Sequence, residues 1–373
     1  MKSNKEIFQE NFNSGGYIEP HQSVVGLKEK LNQVAKDFSG PEIDIYVDFI
    51  DDTTVNAFAT KIENTYFIGI NIGVLSLYDF FAQKISANPN LLVEFGESAG
   101  ESDTELIDLK SINDSNVLEN VLKPKPTTKS RTILANWIFQ QSILNIFFHE
   151  LGHILNGHVD LLLSGGVGFI QEYSSVKSKM SAMASLDRQT MEIDADAYSA
   201  RSTFNTLMEE YNTNYQGCRD ILKNENYVFR LWAFVRMLSW RILENNFIGE
   251  NLLSITHPPT SLRYVFSRVS IVSLLSYRNM DVDQFHIAYM SGSNEADHAL
   301  KTILTNNFIS DTLPGNIGIL HNTHGAIIFC HWDDLREKLL QKTHIPLRDP
   351  NVFFDTEADR EFQNQYKLLR ERI

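Results

Sequence analysis

Residues 149–153 read His149-Glu150-Leu151-Gly152-His153, and the reading of this stretch decides the rest of the chain. It lies in residues 136–156, where Trp137, Leu144, Phe147, Leu151 and Leu155 recur as an apolar stripe at helical period. Ser142, Asn145, His149, Gly152, His153 and Asn156 form a polar stripe beside it. Residues at i and i+4 share one face of a helix, so both imidazoles can reach a single Zn²⁺. Glu150 then stands where its carboxylate can take a proton from metal-bound water, whose pKa the zinc brings toward 7. Five residues make a short motif, and two surface histidines on an amphipathic helix are the competing reading.

A catalytic zinc needs a third protein ligand, and Glu192-Ile-Asp-Ala-Asp196 offers one on a second long helix expected over residues 185–211. Glu192 can fill the third position, and Asp196, one turn on, can accept the outer N–H of a ligand histidine and fix its tautomer. A carboxylate pair on a helix is commonly just a solvated face. Here Ala195, Ala197, Tyr198 and Ala200 surround the pair, which argues for a buried helix.

Upstream, residues 24–38 read as a helix, followed by a break at Ser39-Gly40-Pro41. Residues 43–50 and 66–71 are β-branched and aromatic and read as strands, with residues 55–60 extended between them. Residues 72–85 read as a helix, and a third long helix is expected over 227–243. The fold class is therefore α+β and mostly helical, with a small sheet beside the zinc-binding helix. Three parts are expected: an N-terminal helical segment (1–40), a zinc-binding domain (41–275) and a C-terminal accessory region (276–373). Residues 86–130 read as an acidic insertion in the second part. It ends in a basic, proline-containing linker over residues 122–131, and its bland reading is a solvated surface segment.

Four blocks give the chain a recognisable likeness: Val55-Asn56-Ala57-Phe58-Ala59, the run from His149 to His158, Glu192 to Asp196, and Thr256-His257-Pro258-Pro259-Thr260-Ser261-Leu262-Arg263. Together they resemble the HtpX and type I CAAX prenyl protease family, zinc metallopeptidases of the gluzincin class, over about residues 41–270. The resemblance implies a gluzincin-like domain holding one Zn²⁺ per chain. His149, His153 and Glu192 would be ligands, Glu150 the general base and Asp196 the residue that orients a ligand histidine. It also places His257 and Arg263 among the catalytic residues, with His257 hydrogen-bonding the tetrahedral oxyanion, where charge develops in a low-dielectric cleft. Read plainly, His257-Pro258-Pro259 is a helix-start turn with proline at its first position. Asn56, Ala57, Phe58 and Ala59 would lie near an edge strand that pairs with an extended substrate.

His158 tempts as a third histidine ligand. Proteases with that longer motif turn the chain at a glycine between the second and third histidines, whereas Gly157 is adjacent to His158. It is read instead as a hydrogen-bonding histidine at a helix end. Asp297-His298 and His321-Asn-Thr-His324 suggest a second metal site, with ordinary surface histidines as the commoner alternative.

Composition narrows the function further. A formal charge of −14 disfavours nucleic acid and anionic lipid as partners. Residues 132–148 are the best candidate span and are interrupted by Asn136, Gln140, Gln141, Ser142 and Asn145, so no membrane insertion is expected. The first residues carry no apolar run and no secretory signal is expected. Cys218 and Cys330 lie far apart and outside any Cys-x-x-Cys, which suggests reduced thiols and a cytoplasmic protein. The expected activity is that of a zinc-dependent endopeptidase acting on protein or peptide substrates. The alternative is a latent or regulatory protein on the same scaffold, gated by the insertion, the C-terminal region or a regulatory protein partner.

Overall fold

The structure is a computed structural model. It describes residues 2–12, 26–108, 125–166, 169–171, 181–243, 256–305 and 315–347, with single positions between 360 and 371. Two helices, α1 (Asn4–Phe12) and α2 (Leu27–Ser39), precede three strands, β1 (Asp44–Ile50), β2 (Ala57–Ile62) and β3 (Thr65–Asn71). The helix α3 (Ile72–Ala87) leads to the long α4 (Lys129–Leu155), the short α5 (His158–Ser164) and a fourth strand, β4 (Phe169–Gln171). Then come α6 (Ala182–Thr213), α7 (Glu225–Leu243), α8 (Thr260–Tyr277), α9 (Val282–Ile303) and α10 (Gly315–Leu339). The mostly helical α+β class expected from the sequence is what the chain adopts.

The sheet order is β1-β3-β2-β4. β1 runs parallel to β3, with Val47 opposite Ile68, and β2 pairs antiparallel with β3 and with β4. β3 is buried along its whole length, as its unbroken apolar run requires of a central strand. Asp48 pairs with Lys28 of α2 at 2.6 Å, which holds that helix to the sheet.

α4 is longer than the periodicity of residues 136–156 suggests, because residues 129–131 form its first turn rather than part of a linker. Thr128 caps the helix by accepting the Arg131 amide. The buried Glu101 carboxylate accepts the amides of Thr127 and Thr128 at 2.9–3.0 Å, a negative group at the positive end of the helix dipole. Arg131 is fully buried and donates to the carbonyls of Ile85, Ser86, Asn88, Leu91, Leu92 and Phe95. One guanidinium thus pins the end of α3 and the loop after it to the first turn of α4. Burial pushes Arg131 down to about 10.

The described part of residues 86–130 is accordingly packed. Leu91, Leu92 and Phe95 belong to the main core, and Ile107 exchanges backbone hydrogen bonds with Ile303 and Thr305 at 2.8 and 2.7 Å. Residues 109–124 lie outside the described residues. The described C-terminal helices pack on the same body: Trp332, Leu335 and Leu339 of α10 enclose Met191 of α6. Each such buried side chain contributes about 1.5–3 kcal/mol. Among the described residues, no helix is long and apolar enough to cross a membrane.

Candidate metal centre

α4 and α6 carry the chemistry, and their contact explains why polar residues are tolerated there. A Cβ on Gly152 would stand 3.2 Å from the Tyr198 side chain and 3.3 Å from the Ala195 backbone. Glycine in the middle of His149-Glu-Leu-Gly-His153 therefore allows the two helices to approach closely. The polar stripe read from the sequence is turned onto α6, not toward water. His149, Glu150, His153 and Asp196 are wholly buried, and Glu192 is 2% exposed, which removes the reading of two surface histidines.

Three donor atoms converge. His149 Nε2 lies 3.0 Å from His153 Nε2 and 3.2 Å from Glu192 Oε2, and His153 Nε2 lies 3.6 Å from Glu192 Oε1. Ligand bonds of about 2.0–2.1 Å in a tetrahedron put neighbouring donors about 3.3 Å apart, so the spacing fits one zinc ion. Among the described residues this is the one group of three or more such side chains close enough to hold a metal. Protonation states fit as well. Burial pushes His153 down to about 4, which keeps it as the neutral imidazole a metal needs. Burial works to raise the Glu192 carboxyl, but the neighbouring His257 and His153 rings and the hydrogen bonds from His149 and His153 outweigh it and hold it well below the usual carboxylate range.

Behind His149 lies a set of charges. Its Nδ1 is 2.9 Å from Asp196 Oδ1, the contact a carboxylate that orients this ring would make. Arg263, at the start of α8, grips Asp196 with Nε to Oδ2 at 2.7 Å and Nη2 to Oδ1 at 2.9 Å. Its guanidinium lies 3.6 Å from the Trp240 ring centroid, and Trp240 meets His149 edge-on. Arg263 thus reaches the ligands through Asp196, with Nη2 4.0 Å from Glu192 Oε2. Arg236 of α7 lies deeper, donating to Asn145 Oδ1, Ser199 Oγ, Ser267 Oγ and the Asp196 carbonyl. Burial brings Arg236 down to about 10.

His257 borders the centre. Its Nδ1 is 2.9 Å from Thr256 Oγ1, and its Nε2 is 3.6 Å from Glu192 Oε2. α8 begins at Thr260 with Pro259 as its cap, so the two prolines precede the helix and do not open it. The Asn56–Ala59 block is split between two environments. The Asn56 carbonyl accepts the Asn71 amide at 3.0 Å, Ala57 and Ala59 face the main core, and Phe58 packs on the other face with Phe8, Ile50 and Phe67. Its strand is not the edge of the sheet, because β4 pairs outside it, with Ala59 opposite Ile170.

His158 is placed by Gly157, whose φ of 82° ends α4 and starts α5. It bonds His153 on the side away from the other donors and is not among the converging ligand atoms. His324 bonds Gln189 at 2.6 Å, and His331 bonds Tyr366 at 2.6 Å and Asp187 at 2.7 Å. These histidines tie α10 to α6. No second metal-holding group occurs among the described residues.

Sequence reasoning missed Arg236, Trp240, Asn145, Ser199, Ser267 and the Asp194–Asn156 pair. One signal was available: Arg236 stands between Trp232 and Trp240 in the most apolar part of its helix, where a charge needs a buried partner. With this geometry described, the likeness to known proteins adds one finding. The profile of peptidase family M48 matches residues 25–266. No curated protein and no solved structure matches the chain.

Proposed function

The chain belongs to peptidase family M48, whose members are zinc metallopeptidases, and from that premise we propose that it cleaves protein or peptide bonds with one zinc held by His149, His153 and Glu192. The observation that carries this reading is the convergence of donor atoms from three buried side chains at 3.0–3.6 Å. Zinc supplies a Lewis acid that polarises the scissile carbonyl and makes water easier to deprotonate. The chain's own residues do the rest. Glu150, next in sequence to a ligand, takes a proton from the attacking water and returns it to the leaving amine. His257 offers Nε2 to the oxyanion from the side of Glu192. Asp196 holds the His149 ring, and Arg263 acts as a positioning residue by holding Asp196.

The strand β2 marks the substrate side by resemblance. Because β4 lies along it, an extended substrate would have to displace β4 or continue the sheet beyond it. The chain works in a reducing compartment such as the cytoplasm, a reading supported by two buried cysteines outside any disulfide, Cys218 and Cys330.

One observation favours the latent alternative as a refinement. Glu150 and both histidines are wholly buried, the arrangement a gated site would have. Labelling of new N-termini in cells producing wild type or Glu150→Gln tests both readings. Cleavages confined to wild type establish the peptidase and name its substrates. Identical N-termini, with zinc bound at one per chain, would reject constitutive activity in favour of a gated or regulatory protein.

A further inference from the structure

His153 needs its Nδ1 proton fixed as much as His149 does, and the group that does so is not Asp196. In an unbroken helix His158 would stand about 140° around the axis from His153, out of reach. The left-handed turn at Gly157 reverses the chain, and His158 returns with Nδ1 3.0 Å from His153 Nδ1 and the two rings inclined at 66°. The turn is held from outside. A Cβ on Gly157 would meet the Lys342 carbonyl carbon at 2.6 Å, and the His344 amide donates to the Leu155 carbonyl at 2.8 Å.

Two facing nitrogens share one proton, so one ring donates and the other accepts. The far side of His158 decides which. Its buried Nε2 makes no hydrogen bond but lies 3.4 Å from Asp194 Oδ2, which also accepts from Asn156 Nδ2 at 2.6 Å. A carboxylate only accepts, so it favours the proton on His158 Nε2 and leaves His158 Nδ1 as an acceptor. His153 then donates from Nδ1 and turns its Nε2 lone pair toward His149 and Glu192.

We propose that His158 and Asp194 are positioning residues for the metal site, His158 accepting from His153 Nδ1 and Asp194 fixing the His158 tautomer. This rests on the metallopeptidase reading and deepens it. Each ligand histidine has its own carboxylate on α6: Asp196 directly for His149, and Asp194 through an imidazole for His153.

Zinc affinity measured by chelator competition tests it without requiring turnover. His158→Ala loses about 10–100-fold in affinity, as removal of an outer partner of a ligand does. His158→Asn, whose side-chain oxygen can accept from His153, recovers most of the loss. Asp194→Asn, which touches no ligand, loses about tenfold or less. Melting with and without zinc separates positioning from plain structural support. A positioning role shrinks the zinc-induced rise in Tm, whereas a structural one lowers both melting points together. Wild-type affinity in both His158→Ala and Asp194→Asn overturns the proposal, and Asp194→Asn decides it if His158→Ala does not fold. A wild type that binds zinc but cleaves nothing would sink the peptidase reading alone, and one that binds no zinc would sink both.

Discussion

His149 and His153 stand one turn apart on α4 and point at the same centre, yet the structure supports them in opposite ways. The His149 side is charged and assembled from distant segments, with Asp196 from α6, Arg263 from α8, and Arg236 and Trp240 from α7. The His153 side is built around the end of its own helix, from His158 five residues on, with Asp194 and Asn156 behind it. A carboxylate directly on an imidazole makes it a stronger donor and fixes it rigidly, but burying that carboxylate demands compensating cations. A neutral imidazole in the same place moves the carboxylate, Asp194, one side chain further from the ligand. The difference teaches that an i, i+4 histidine pair is only half of the site, and that its two halves depend on different parts of the chain.

The largest effect should come from Asp196→Ala. It leaves Arg263 and Arg236 buried beside a lost anion, at a cost of about 3–5 kcal/mol of stability, with tight zinc binding lost as well. Urea denaturation and chelator competition check the two together. If stability is unchanged, the charge balance described for the His149 side is wrong.

Acid should act next, on the His153 side of the metal-free protein. Burial depresses His153 from 6.5 to about 4 in the folded state. Above pH 6.5 the ring is neutral whether folded or not. As pH falls from 6.5 to 4 the unfolded chain binds a proton that the buried ring refuses, so up to about 3 kcal/mol is lost across that window. Denaturation at stepped pH, with and without zinc, measures this loss, and bound zinc should reduce it. A flat profile between pH 6.5 and 4 would contradict the burial argument.

Arg263→Lys keeps the charge but loses the two-pronged grip on Asp196 and the contact with Trp240. It should cost about 1.5–3 kcal/mol and weaken zinc binding less than Asp196→Asn does. Equal losses in the two variants would place Arg263 at the metal rather than behind Asp196. The smallest effect on zinc binding is expected for Gly157→Ala, which strains the left-handed turn by about 1–3 kcal/mol and also drives a Cβ against the Lys342 backbone. It should lower zinc affinity by displacing His158 while the Asp196–Arg263 bonds persist. An undiminished affinity would show that the turn does not matter to the site.

The parts legible in the sequence were those that local spacing determines. The His149-x-x-x-His153 and Glu192-x-x-x-Asp196 pairs, the strands of the 43–71 region and the long helices follow from period and composition. What escaped depends on neighbours that no local pattern shows. The polar stripe of α4 has the right residues, but its burial requires the equally polar face of α6 across Gly152. Residues 127–131 look like a linker until Glu101 supplies the cap and Arg131 finds six carbonyls. His158 was set apart from the ligands, but the turn that brings it onto His153 is a backbone event at Gly157. The strand β4 is only three residues long, too short for any period to reveal.

The central claim is that the site closes around one zinc with two imidazoles and one carboxylate. Zinc-edge absorption fine structure of the zinc-loaded protein tests it most directly. The account predicts two imidazole nitrogens and one carboxylate oxygen from the chain, at about 2.0–2.2 Å. Three imidazoles around the ion would contradict it, by bringing His158 or His257 into a position assigned here to Glu192.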